Sequence, residues 1–209
     1  MSVKPILFNT EMVRAILVGM KTCTRRVVKL PKNMSGRPVG KNGDIGFMYL
    51  GGIKRPPYQQ GDILYVRETW FYEHHMEDRT AGVPNLPSER YSHRFVYKAD
   101  NPDYPVNIGV GESGWHPSIH MPKEAARIWL KVTGVRVERL QDITEEGAEK
   151  EGCEESVDAE TKFRTSAILN FYEVWNSTIK KSDLDRYGWK ANPWVWVIEF
   201  ERCEKPKEV

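Results

Sequence analysis

The sequence predicts an α+β domain whose strands curl into a small mixed β-barrel with flanking helices and long loop insertions. Three observations carry this reading. Strand-period or β-branched runs recur at residues 63–72 (ILYVRETWFY), 126–140 (ARIWLKVTGVRVERL) and 193–202 (PWVWVIEFER). Helix signals separate them, and glycine- and proline-rich stretches interrupt them at about 27–60 and 71–121. With 209 residues the chain fits a single domain and is long enough to bury a core.

In chain order, a short strand over 5–9 leads to a helix expected to be capped by Thr10, with Glu11 in its first turn. Met12, Val13, Ile16 and Leu17 give that helix one apolar face, and Gly19 suits its stop. KTCTRRVV then reads as a turn entering a strand, and residues 31–61 read as a long loop with one short hairpin. After the strand at 63–72 come a polar segment over 73–92, a strand in RFVYKAD and a further loop ending in WHP. Gly134 is placed to bend the strand of 126–140. Thr144 caps a short acidic helix that Gly152 ends, and Phe163, Ala167, Phe171 and Val174 mark a longer helix within 159–178. The last strand closes the chain.

A 40% hydrophobic, 29% charged and 11% aromatic composition describes a folded chain and excludes a disordered one. No apolar run approaches a membrane span, and Asn9, Thr10, Glu11 and Arg14 interrupt the N-terminal one, so a cytoplasmic protein without membrane contact is expected. Three widely spaced cysteines, Cys23, Cys153 and Cys203, fit neither a disulfide framework nor a zinc knuckle.

The net charge of +2 conceals an asymmetry. Residues 1–60 hold 11 Lys and Arg against 2 Asp and Glu, whereas residues 141–160 hold nine carboxylates against Lys150. That pattern points to an anionic partner near the N-terminal segment, with nucleic acid the usual candidate; a solvated basic face beside an acidic helix has the same signature.

The densest reactive cluster is Lys21, Thr22, Cys23, Thr24, Arg25 and Arg26 at a helix-to-strand junction. Residue types alone allow a lysine base or phosphate contact, a threonine nucleophile and arginine clamps on phosphate or carbonyl. They equally allow a solvated basic turn.

The order GMKTCTRR, GDILYV, ITEEGAEKEG and VWVIEF resembles the ASCH domain, a PUA-like β-barrel family, and the longer stretches are similar to ASCH proteins of bacterial genomes and their phages. Within it, the motif is similar to that of small N4-acetylcytidine amidohydrolases. The resemblance implies hydrolysis of an acyl group from the N4 amine of a cytidine-type nucleoside, with Lys21 as proton acceptor, Thr24 as nucleophile and Glu151 as proton donor. Arg25, Arg26, Trp70 and His120 are the expected substrate or nucleic-acid contacts. It implies no metal and no cofactor, and a modified cytidine nucleoside or RNA as partner. Amide hydrolysis needs such a base, nucleophile and acid. A lysine serves as base only when neutral, which neighbouring arginines favour and an ionised Glu151 opposes.

The chain is about twice the length of those small enzymes, the excess lying in the two insertions. A non-catalytic nucleic-acid module, with Lys21, Arg25, Arg26, Lys54 and Arg55 on phosphates, or a ribonuclease is therefore the alternative. His74, His75 and His93 lack ligand spacing for a metal. His116 and His120 fit loop packing or base reading. Trp70, Trp194 and Trp196 could stack on a base, although the last two share one strand face and suit a core. Cys23 and Cys153, flanking the inferred site residues, would allow a metal site or a redox pair.

Overall fold

A computed structural model describes residues 2–31, 34–41, 44–76, 91–104, 114–157, 160 and 164–207. The fold is α+β. Its centre is a mixed five-stranded sheet of β1 (Val3–Leu7), β2 (Cys23–Val27), β6 (Ile63–Arg67), β9 (Trp129–Arg139) and β12 (Trp194–Cys203), in the order β1-β6-β9-β12-β2. β1 runs parallel to β6; every other neighbour is antiparallel.

The ladder does not close. β1 and β2 are its two edges, and among the described residues no backbone pairing joins them. A side chain crosses the seam instead: Arg26 Nη2 donates to the Leu7 carbonyl at 2.8 Å while its guanidinium sits 5.4 Å from the Phe8 ring centre. The expected barrel is thus not closed by strand pairing among the described residues, and this side-chain contact links the two edges.

Both faces of the sheet are covered, which explains the nearly unbroken apolar run of β12. Trp196 and Ile198 join Ile6, Phe8, Leu64 and Leu130 on one face. Trp194 packs against the same cluster, as its spacing from Trp196 predicts. Val195 and Val197 face the other way, onto α2 (Glu145–Lys150) and α3 (Ala167–Thr178), where Ala148, Phe171 and Trp175 lie. Gly134 marks the bend in β9: the register slips between Glu199 and Phe200, and a Cβ at Gly134 would come within 2.8 Å of Glu199 Oε2.

Several expected boundaries move. The first strand is Val3–Leu7, and α1 (Thr10–Leu17) is capped by Asn9, whose Oδ1 accepts from the Met12 amide at 2.8 Å. Residues 63–72 divide into β6 and β7 (Trp70–Met76) because Glu68 turns inward, fully buried, onto Arg127 at 2.9 and 3.0 Å. α3 begins after Ser166, which caps it, and Phe163 lies outside the described residues.

The loop expected over 31–61 holds a three-stranded antiparallel sheet of β3 (Gly36–Lys41), β4 (Asp44–Tyr49) and β5 (Gly52–Lys54). Glycines here permit close packing rather than a free loop, since a Cβ at Gly36 would meet the Met48 carbonyl at 2.3 Å. Phe47 anchors this arm in the core, 5.6 Å from Trp194. In the second insertion β7 pairs with β8 (Tyr91–Tyr97); residues 77–90 and 105–113 are outside the described residues. The remaining strands are the two-residue β10 (Ser156–Val157) and β11 (Arg164–Thr165), and the remaining α-helix is the short α4 (Leu184–Tyr187). No helix among the described residues is long and apolar enough to cross a membrane.

Candidate active site

Two glycines bring the reactive cluster and the acidic helix together. Gly19, at φ +84°, ends α1 so that the amides of Met20 and Lys21 both donate to the Ala15 carbonyl. Gly152, at φ +86°, ends α2, and a Cβ there would press on Ala15 at 2.8 Å and Lys21 at 3.3 Å. The Thr22 amide donates to the Lys150 carbonyl at 2.9 Å, stitching the two turns. Lys21 therefore enters the interior beside Glu151.

Lys21 Nζ donates to Glu151 Oε2 at 2.5 Å and to the Glu151 carbonyl at 2.8 Å, with its side chain wholly buried. Arg25 Nη1 donates to the other carboxylate oxygen at 3.2 Å. Nε and Nη2 of Arg25 grip Glu138 Oε1 at 3.0 and 2.8 Å, and Glu138 Oε2 accepts from Arg136 at 3.0 Å. Arg136 also contacts Glu199. Charges of alternating sign thus run from the buried Lys21 to the surface. Each buried member has an opposite partner, which offsets the cost of removing it from water.

Beside this chain, at the seam between β1 and β2, lies a cavity of about 340 Å³, within the range of small-molecule sites. Thr24, Arg25, Arg26 and Glu151 form its polar wall. Phe8 and Met12 on one side, and Phe171, Val174 and Trp175 of α3 on the other, form its apolar wall. Thr24 is 3% exposed, and its hydroxyl has no hydrogen-bond partner among the described residues. Lys21 does not line the cavity: it reaches it only through Glu151. Both hydrogen bonds of its Nζ go to Glu151, and none goes to Thr24.

Two further expected contacts lie elsewhere. Trp70 does not line the cavity; it packs 5.7 Å from Phe95 and 4.8 Å from His116, and its buried Nε1 has no partner among the described residues. His120 is exposed and also away from the cavity, where Pro117 and Ser118 of the same loop reach instead. The position of Arg26 at the mouth fits a ligand contact, and burial pulls its guanidinium below its ordinary value. The side chains of His74, His75 and His93 are outside the described residues, and among those described no His, Cys, Asp and Glu side chains gather as for a metal ion.

Both cysteines beside the site are held towards the thiol form. Burial first, and the Glu151 charge second, push the Cys23 thiol up to about 12 and the Cys153 thiol up to about 11. Cys153 lines the cavity as a small apolar group.

Sequence reasoning missed Glu138 and the α3 wall. Glu138 sits among alternating charges of an exposed-looking strand segment, and its partner is 113 residues away. Phe171 and Trp175 carry only the periodicity of a core helix.

The fold and site describe an α+β domain with a polar-ended cavity at a sheet seam. No family model, curated protein or solved structure matches the chain.

Proposed function

We propose that the chain is an ASCH-type amidohydrolase that removes an acyl group from the N4 amine of a cytidine-type substrate. The observation that carries this reading is convergence. Thr24 and Glu151, distant in sequence, line one cavity, and Lys21 is bound to the Glu151 carboxylate.

The contacts favour a division of labour in which Lys21 acts through Glu151. Thr24 Oγ attacks the acyl carbon while its proton passes to the Glu151 carboxylate. The oxyanion that forms is met by the Arg25 or Arg26 guanidinium in the cavity wall. When the tetrahedral species collapses, the C–N bond breaks and Glu151 returns the proton to N4, releasing the free amine. Water then attacks the acyl-threonine carbon while Glu151 takes its proton; the bond to Thr24 Oγ breaks, Glu151 returns the proton to that oxygen, and the carboxylic acid leaves. Lys21 and Arg25 hold the carboxylate oriented throughout.

The alternative of a non-catalytic module with Lys21 and Arg25 on phosphates is disfavoured by their burial against carboxylates. The test is cytidine release from N4-acetylcytidine by the wild type and by Thr24→Ala and Glu151→Gln. Release that vanishes in both folded variants supports the reading; no release at high wild-type concentration overturns it.

A further inference from the structure

The cavity lies between an acidic flank and a flank on which lysines outnumber the nearby carboxylates Asp183 and Asp185. On the α2 side Cys153 is followed by the exposed Glu154 and Glu155, and Glu146 and Glu149 project from the helix. On the other side the cavity-lining Thr178 is followed by the exposed Lys180 and Lys181. Arg186 Nη2 donates to the carbonyls of Leu30 at 2.7 Å and Pro31 at 3.0 Å, which brings this segment against the chain leaving β2. Lys29, also exposed, stands there, three residues beyond Arg26 and so about 10 Å along an extended chain. The ammonium groups of Lys29, Lys180 and Lys181 make no ion pair among the described residues, whereas Lys4, Lys21 and Lys150 all do.

A free nucleoside has no charge for such a flank to recognise. We propose that the cavity takes its base from a single-stranded polynucleotide, whose phosphates leave over Lys29, Lys180 and Lys181, away from the acidic α2 side. This rests on the amidohydrolase reading for its chemistry but not for its binding. A single strand is required because a paired base cannot reach into a cavity without leaving its stack. The acidic flank sets direction by repelling phosphates on the opposite side.

The test uses a 12-nucleotide RNA carrying one N4-acetylcytidine, its DNA counterpart, unmodified RNA and free N4-acetylcytidine. Three phosphate contacts predict a log–log salt slope of about −2, so raising salt from 50 to 300 mM weakens RNA binding about 40-fold in fluorescence anisotropy. The Lys29→Glu, Lys180→Glu, Lys181→Glu triple variant is expected to lower oligomer turnover by a similar factor relative to nucleoside turnover. Equal use of RNA and DNA would place recognition on phosphates and base, and RNA preference would add the 2′-hydroxyl. Oligomer binding and turnover indifferent to salt and to the triple variant overturn the proposal. Lysine-dependent RNA binding without turnover of any acylated substrate leaves the phosphate track standing and removes the amidohydrolase reading instead.

Discussion

Lys21 holds Glu151 at two points, donating from one ammonium to the carboxylate at 2.5 Å and to the main-chain carbonyl at 2.8 Å. The residue is therefore fixed in both backbone and side chain by a partner 130 positions earlier. Removing one member of a buried pair leaves the other uncompensated, which costs roughly 3–5 kcal/mol. Lys21→Met should lower stability by that order in urea unfolding, and Glu151→Gln added to it should cost little more. Additive losses would mean the pair is not coupled.

Arg25 divides its donors between Glu138 and Glu151, and lysine, with a single nitrogen, cannot span both. Arg25→Lys should therefore lose at least tenfold in kcat/KM on an N4-acylated substrate, with a smaller effect on thermal stability. Glu138→Gln, which keeps an acceptor for Arg25, should retain most of that activity. Loss of activity matched by loss of folding in both variants would assign Arg25 a purely structural part.

Asp62 provides a pH handle remote from the site. Burial alone would raise its carboxyl, but hydrogen bonds from Lys4, Ser2 and the Gln59 amide hold it down at about 2. A depressed carboxyl stabilises the fold above its unfolded value near 3.8, and that contribution disappears as pH falls towards about 2. Asp62→Asn should thus cost roughly 2 kcal/mol at pH 7, and the difference from wild type should shrink between pH 4 and pH 2. A constant difference across that window would contradict the assignment.

With thiols at about 12 and about 11, Cys23 and Cys153 expose a thiolate fraction of at most about one in a thousand at pH 8. Iodoacetamide at that pH should leave both unmodified in the folded protein, as read by peptide mass spectrometry, and modify them in urea. Rapid labelling of folded Cys153 would show a far more reactive cavity.

How much of this could be read from the chain follows from where each signal resides. Lys21, Thr24 and Glu151 were legible together only through the family resemblance, whereas Gly19 and Gly152 were legible as stops because left-handed backbone favours glycine. Arg25 and Arg26 were legible as cations but not as to destination: one turns inward to carboxylates, the other crosses to Leu7. Nothing local encodes a partner more than a hundred residues away. The arm of β3, β4 and β5 was hidden because glycine at Gly36 and Gly46 serves close strand packing, while the same residue in sequence signals a loop. Asn9 rather than Thr10 caps α1, a choice between two suitable neighbours that only the chain direction decides.

The seam between β1 and β2 has a chemical consequence. The Thr22 carbonyl accepts from the Phe200 amide and the Val28 amide donates to the Trp194 carbonyl, so by antiparallel alternation the amide and carbonyl groups of Cys23, Arg25 and Val27 face the opposite way, where no strand among the described residues pairs with them. They form a ruled line of donors and acceptors such as a neighbouring strand would have used, and that line survives every side-chain replacement. Under the proposed reading, alanine scanning of the cavity therefore accounts for only part of its base selectivity.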